Sequence, residues 1–504
     1  MKLSKFQKWA FLISVIALIS AFSVNEINLF HLNKEGIQLR GNQTIITADD
    51  YSYLFPYDNL IEQGSFYVND YDKYLTVIRS PGYGFHYGVL VRFFGLSKGL
   101  FLLKMWQLFL FAVSVYGLFF LALDLLKSKK WAVFVSSVYG ILPISSGFLY
   151  YTLTESISPA LLIIFLYFLA IAQKQSDVWK KHLFYLFSAF TFSYLLITRP
   201  FLGLFGLAIP LYIWLDANFD KNIRRKIMFL VLYSFVGLSF MLVWQIRNKM
   251  VLGKFTSLHP IYQNELPGTF RASHKAMWNF YKTWESSGAD FHQSTLGIWY
   301  TTMAGDTSDA TIYKTIQNVP LKFRNELGER ELYTAFKAYQ KTIWEQRDFV
   351  LNRKLMTSEL SPQEKITIEH FQKLEKEFKQ KFFLTNYLFT PIKVYRNLAF
   401  HSNLSLYMFQ KTYRGTVFME ILRYFAFMIH VLAFSLFVLF IFTKQKKEHY
   451  LIYFVCLLFY LLYLIFIQRG IEERYTLPLL PLAILSSAAV IKYVFEKMNF
   501  SFLK

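Results

Sequence analysis

Long apolar runs alternate with short polar segments along this chain, and the runs set the first expectation. A stretch of about 20 apolar residues with few charges crosses roughly 30 Å of hydrocarbon as a helix. Ten such runs can be drawn, at 8–24, 99–126, 131–150, 156–173, 183–198, 201–215, 228–245, 418–442, 450–467 and 477–492. The predicted fold is all-α: a polytopic membrane bundle of about ten helices. The first run sits in MKLSKFQKWAFLISVIALISAFSV. It lacks a small-residue cleavage site and stays apolar to Val24, so it reads as a retained span rather than a leader.

The polar segments differ in kind. Lys2, Lys5 and Lys8; Lys127, Lys129 and Lys130; Lys174, Lys180 and Lys181; Arg224, Arg225 and Lys226; Lys444, Lys446 and Lys447; and Lys492 and Lys497 all fall on one side of a ten-span chain. Short basic loops stay in the cytoplasm, which places both termini there. This changes the meaning of the net charge of +21. It belongs to topology, and a nucleic-acid partner is not expected. Composition agrees: 54% of the residues are hydrophobic, against about 45–50% in soluble domains. The single cysteine, Cys456, excludes an intrachain disulfide and a Cys metal cluster.

The other side carries two long segments, about 25–98 and 246–417. The chain thus divides into 1–255, with seven spans and the first outer loop, a helical outer domain at 256–417, and 418–504 with three spans. Within the outer domain, Ser361-Pro362-Gln363-Glu364 predicts a capping box with Pro at the first helical position. Phe371, Leu374, Phe378 and Phe382 follow at helical spacing. Leu332, Phe336, Tyr339 and Ile343 mark an earlier amphipathic helix. Trp278, Tyr281 and Trp284 suit stacking on sugars or anchoring at the interface.

Chemically capable residues gather at the outer ends of the runs. Asp49-Asp50 stand ahead of an aromatic stretch; one of them is expected to cap a helix. Arg79-Ser80-Pro81-Gly82-Tyr83-Gly84 is loop grammar by itself. Glu155 opens the fourth run, Arg199-Pro200 closes the fifth, Arg247-Asn248 closes the seventh, and Arg469, Glu472, Glu473 and Arg474 precede the tenth. Arg at an interface can snorkel to headgroups, yet outer loops are where the topology rule disfavours it. Arg forks bind phosphate oxygens, and a carboxylate nearby takes a proton from an attacking hydroxyl. A lipid-linked phosphosugar needs both. His86, His274, His292 and His401 also lie outside, without ligand spacing to one another; a divalent metal stays open.

These motifs, in order, resemble the GT-C superfamily of membrane glycosyltransferases. The branch is that of the bacterial relatives of the dolichyl-phosphate-mannose–protein mannosyltransferases and the lipid A aminoarabinose transferases. Asp49-Asp50-Tyr51 is similar to the acidic pair after the first span. Arg79-Ser80-Pro81-Gly82-Tyr83 is similar to a Pro-Pro-Gly-Tyr-Pro segment, with Gly84 in place of the last Pro. Thr154-Glu155 matches a Thr-Glu pair. Leu196-Ile197-Thr198-Arg199-Pro200 resembles Leu-Thr-Arg-Pro apart from Ile197. Trp244, Arg247, Asn248 and Gly253 match Trp-x-x-Arg-Asn-x-x-x-x-Gly, and Glu473, Arg474, Tyr475, Pro478 and Pro481 match Glu-Arg-Tyr-x-x-Pro-x-x-Pro.

The likeness covers about 8–255 and 418–492, leaves 256–417 uncovered, and lacks the soluble C-terminal domain of several relatives. It implies an inverting transfer from a polyprenyl-phosphate-linked sugar to a lipid, glycan or protein hydroxyl, at the periplasmic face of a bacterial inner membrane. Asp49 would be the general base and Asp50 its neighbour. Arg199, Arg247 and Arg474 would hold the donor phosphate, and Glu155, Arg79, Tyr83 and Tyr475 would contact substrate. Two other readings compete: a lipid or polysaccharide transporter, and an O-antigen polymerase or ligase. Transporters place polar residues near mid-bilayer, whereas here Lys104 and Asp124 lie toward span ends. An acidic pair after the first span is not the mark of the polymerases.

Overall fold

A computed structural model describes residues 4–34, 36, 39–216, 219, 222–400, 415–443, 448–469 and 473–498. Lys2, His401, Lys444, Lys446, Lys447 and Glu472, and the side chain of Glu473, lie outside the described residues. Helices dominate; the described strands are one two-stranded hairpin, Leu39–Arg40 with Thr44–Ile45.

Among the described residues, five helical segments are long and apolar enough to cross a bilayer: Lys5–Lys34, Leu96–Leu126, Ile223–Leu252, Val417–Phe442 and Tyr450–Gln468. The chain is therefore an all-α polytopic membrane protein. The other predicted runs are helical but shorter, interrupted or less apolar. The run at 131–150 breaks where Leu142 precedes Pro143, because the proline ring forces the residue before it into extended backbone. The run at 201–215 opens as a 3-10 helix over Pro200–Leu207 before the α-helix Ala208–Leu215.

The bundle is built around Ser158–Lys174, whose residues from Ser158 to Leu166 are all buried. It packs on Leu96–Leu126 and Val178–Thr198. Lys5–Lys34 packs on Leu96–Leu126 and Lys129–Ile141, and Leu480–Lys497 on Val417–Leu436. Ile223–Leu252 buries little of itself in protein although its central stretch is apolar all round. Such a helix faces lipid.

The segment after Ile223–Leu252 holds a second core of its own, made by Phe280, Tyr281, Phe336, Tyr339, Phe371 and Phe378 among others. Ser361 and Glu364 form the reciprocal capping box. Glu364 also takes both Nε and Nη2 of the fully buried Arg271. Tyr281 and Trp284 are buried in this core and Trp278 packs against it. Neither sugar stacking nor interface anchoring describes Tyr281 and Trp284, because their rings are consumed by packing on Phe280, Phe336 and Phe378.

Candidate active site

The long first helix runs past the predicted end at Val24 to Lys34. Its buried Asn25 donates to the Ser146 carbonyl at 2.8 Å and accepts from the Tyr150 amide at 3.2 Å. The hairpin that follows turns through Gly41, Asn42 and Gln43, with Gly41 and Asn42 left-handed and the Gln43 amide donating to the Arg40 carbonyl at 3.0 Å. Ile45 then donates its amide to the Tyr150 carbonyl at 2.9 Å. These contacts set the start of the helix Asp50–Glu62 beside Thr152–Glu155.

Asp49 occupies the N-cap position of that helix, but its carboxylate makes no capping hydrogen bond. It accepts instead from Arg79 Nη2 at 2.8 Å and from Arg474 Nη2 at 2.5 Å. Asp50 points elsewhere, since successive helical residues are turned by about 100°. Its carboxylate accepts from Arg40 Nη2 at 2.7 Å and from the Thr152 hydroxyl. The side chain of Asp49 is 27% exposed and that of Asp50 2%, so only Asp49 is open to a reactant.

Two motifs far apart in sequence meet through a glycine. Gly82 approaches Thr198 so closely that an added Cβ would lie 2.5 Å from Thr198 Oγ1 and 2.6 Å from its backbone nitrogen. Ser80 donates to the Thr198 carbonyl at 3.2 Å. Arg79 and Arg199 are thereby carried to one cavity. Gly84 makes a similar approach to the ring of Tyr57. The Pro-Gly-Tyr-Gly segment is thus a close-packing device, and it opens the helix Gly82–Phe94 rather than a loop.

The cavity, with about 670 Å³ of free space including its mouth, is lined by Asp49, Arg79, Glu155, Arg199, Arg474 and Tyr475 among others. Its charges alternate. Arg79 and Arg474 flank Asp49; Glu155 Oε1 lies 3.8 Å from Arg474 Nε and 2.9 Å from Arg199 Nη1. Burial alone would push the Glu155 carboxyl up, but Arg199 and Arg474 outweigh it and hold it below the usual carboxylate range. Arg199 Nη1 also donates to Thr154 Oγ1 at 3.0 Å, while its buried Nε has no partner among the described residues. Tyr475 lies under Arg199, with 5.4 Å from guanidinium carbon to ring centre, and Tyr53 lies under Arg79 at 5.2 Å.

His259 completes the wall from the loop after Ile223–Leu252, its Nε2 3.3 Å from Arg79 Nη1. Burial, Arg79 and Arg199 push its pKa down to about 3, against the pull of Asp49. The imidazole is therefore neutral, and Nε2 accepts from Arg79.

Several sequence candidates stand outside the cavity. Tyr83 is buried, bonded to the Tyr151 carbonyl at 3.2 Å and to Gln107 at 3.1 Å. Arg247 packs over Trp244 at 4.8 Å and donates to Thr76 at 3.1 Å. Sequence reasoning missed His259, Tyr53, Tyr460, Tyr463 and Gln468. His259 stands alone in an irregular loop, so no period or motif marked it. Among the described residues no group of three or more His, Cys, Asp or Glu is placed to hold a metal. His86 is bonded to Tyr194 and His274 to Tyr339. Both carboxylates of the cavity already face guanidinium groups, which a divalent cation would have to displace, so this donor set does not fit one.

No family model matches the chain, and no curated protein matches it. Among solved structures it is similar to ArnT from Cupriavidus metallidurans bound to undecaprenyl phosphate, with a TM-score of 0.34 and 10% identity, covering 98% of this chain and 79% of that one. It is similar also to ArnT from the same organism in the apo state, with a TM-score of 0.34 and 12% identity over 97% and 78% of the two chains. The functional reading therefore stands on the geometry of the cavity and on the sequence motifs.

Proposed function

We propose that this protein is an inverting glycosyltransferase that moves a sugar from a polyprenyl-phosphate-linked donor to an acceptor hydroxyl, at the periplasmic face of a bacterial plasma membrane. The observation that carries this reading is the more exposed of the two cavity carboxylates, Asp49, clasped by Arg79 and Arg474 beside the buried Glu155–Arg199 pair. The Lys-rich loops support cytoplasmic termini and an outward-facing site.

In the proposed step the acceptor hydroxyl gives its proton to Asp49 as its oxygen bonds to the anomeric carbon. The bond from that carbon to the phosphate oxygen breaks, and its electron pair leaves with the polyprenyl phosphate. Arg199 and Arg474 receive the added negative charge. Both oxygens of Asp49 are engaged before substrate arrives. An incoming phosphate competes for Arg474 and releases one oxygen to act as base. Glu155 keeps Arg199 aimed, Arg79 and Tyr475 line the sugar's approach, and Asp50 braces the helix start. Arg247 and Tyr83 support the site from outside the cavity, and the helical outer segment contributes to acceptor choice. The test is sugar transfer from a polyprenyl-phosphate donor in purified membranes. An Asp49→Asn variant with normal folded yield and near-native transfer would overturn the assignment of the base.

A further inference from the structure

A second concavity lies on the far side of the same wall. The segment Tyr463–Gln468 ends the helix that begins at Tyr450, and its Gln468 lines the cavity with Asp49. Its Phe466 and Ile467, with the following Arg469, line instead a cleft shared with Lys275, Lys282 and Lys379 of the outer segment. Four cations there face one carboxylate, Glu375, which is paired with Lys379. Arg469 is 6% exposed, adopts a left-handed backbone, and meets no carboxylate among the described residues. Its Nη groups are held by the Lys282 carbonyl at 2.7 Å and by Asn386, and its buried Nε has no partner among the described residues. Among the described residues Lys282 reaches the Ile467 carbonyl at 3.3 Å and the Trp278 ring at 5.2 Å. Burial, then Arg469 and Lys275, press its pKa down to about 8. A guanidinium buried with only neutral acceptors beside a second crowded cation is costly unless an anion joins it.

The surroundings indicate where that anion comes from. The cleft opens at the end of Tyr450–Gln468, a helical segment long and apolar enough to cross a bilayer. Its lining includes exposed apolar side chains, Tyr387 47%, Phe466 47% and Ile467 63% exposed, and Phe383, 60% exposed, packs on the Tyr387 ring. A basic cleft lined by such residues matches an anionic phospholipid, whose phosphate meets the cations while its chains lie against the apolar side chains. We propose that Lys275, Lys282, Lys379 and Arg469 form a binding site for the phosphate headgroup of an anionic phospholipid, which seats the helical outer segment on the bilayer. The proposal is independent of the transfer chemistry.

The test uses the full chain in nanodiscs of phosphatidylcholine alone, or of phosphatidylcholine with phosphatidylglycerol. Hydrogen exchange is followed over 272–285 and 383–392, together with native mass spectrometry of retained lipid. Phosphatidylglycerol should be retained by the wild type and should slow exchange in both segments. Lys282→Gln and Lys379→Gln, both outside the core, should each weaken retention about fivefold, the ratio expected from about 1 kcal/mol per basic residue. Arg469→Gln should weaken it further, with the two lysine variants deciding if that chain misfolds. Equal exchange in the two nanodiscs, or retention unchanged in both lysine variants, would overturn the site. Slowing by inorganic phosphate in phosphatidylcholine nanodiscs that equals the effect of the lipid would overturn the lipid as the source.

Discussion

The two concavities that share the Tyr463–Gln468 wall treat charge in opposite ways. In the cavity, arginines and carboxylates alternate, each carboxylate held between guanidinium groups. In the cleft, four cations crowd one carboxylate and a buried arginine rests on carbonyls. A matched network is assembled before substrate arrives and can exchange partners at small cost. An unmatched one waits for an anion. The comparison separates a place where charge is handed over from a place where charge is held.

The sharpest way to break the comparison is Asp49→Asn. Transfer should fall roughly a thousandfold, the scale of a lost general base, measured as labelled sugar released from the polyprenyl-phosphate donor. Next come Arg199→Lys and Arg474→Lys, which keep charge but lose the planar fork. Each should lower kcat about a hundredfold, while Arg247→Lys, outside the cavity, should stay within about tenfold. Asp50→Asn should act on stability rather than rate. The change removes one of two carboxylates on Arg40, which keeps Asp58 at 3.0 Å, and should lower unfolding free energy by about 1.5 kcal/mol, seen as a fall in thermal midpoint, with transfer per folded molecule nearly kept.

His259 gives a smaller, pH-dependent effect. Its pKa of about 3 lies below the ordinary 6.5, so the unfolded chain takes up a proton that the folded chain resists. The stability from this site is complete above about pH 6.5 and is lost as pH falls from there toward 3. Thermal unfolding across that window should be flatter in His259→Asn, in which Arg79, Arg199 and Asp49 keep facing one another. Lys282→Gln, with its expected fivefold loss of lipid retention, is the smallest effect and the one that tests the unmatched side.

Much of this was legible in the sequence, and the physical reasons are specific. Apolar runs gave the helices, and the capping box at Ser361 announced its helix because local hydrogen bonding needs no distant partner. Asp49, Glu155, Arg199 and Arg474 were readable because ionisable groups at the ends of apolar runs have few neutral explanations. The same logic gave Arg247, which the fold turns onto Trp244; position along a run does not fix which way a side chain leaves the helix. Asp49 and Asp50 were inseparable in sequence and part only through the turn of one residue. His259 and Tyr463 reach the wall by tertiary folding alone, and no local pattern could have named them.

The contact at Gly82 acts as a ruler. It contains no charge, yet it fixes how far Arg79 stands from Arg199, because the backbone of one segment rests where a side chain of the other would be. A single methyl group there must push the two segments apart, since beside the Thr198 hydroxyl it would meet the Thr198 nitrogen at 2.6 Å and the Ile197 carbonyl carbon at 2.7 Å, backbone atoms that cannot swing away. Gly82→Ala would therefore leave every ionisable residue of the cavity in place and still widen the gap that a phosphate must span. The tolerance of this cavity to change is set at that position by tenths of an ångström in an uncharged contact.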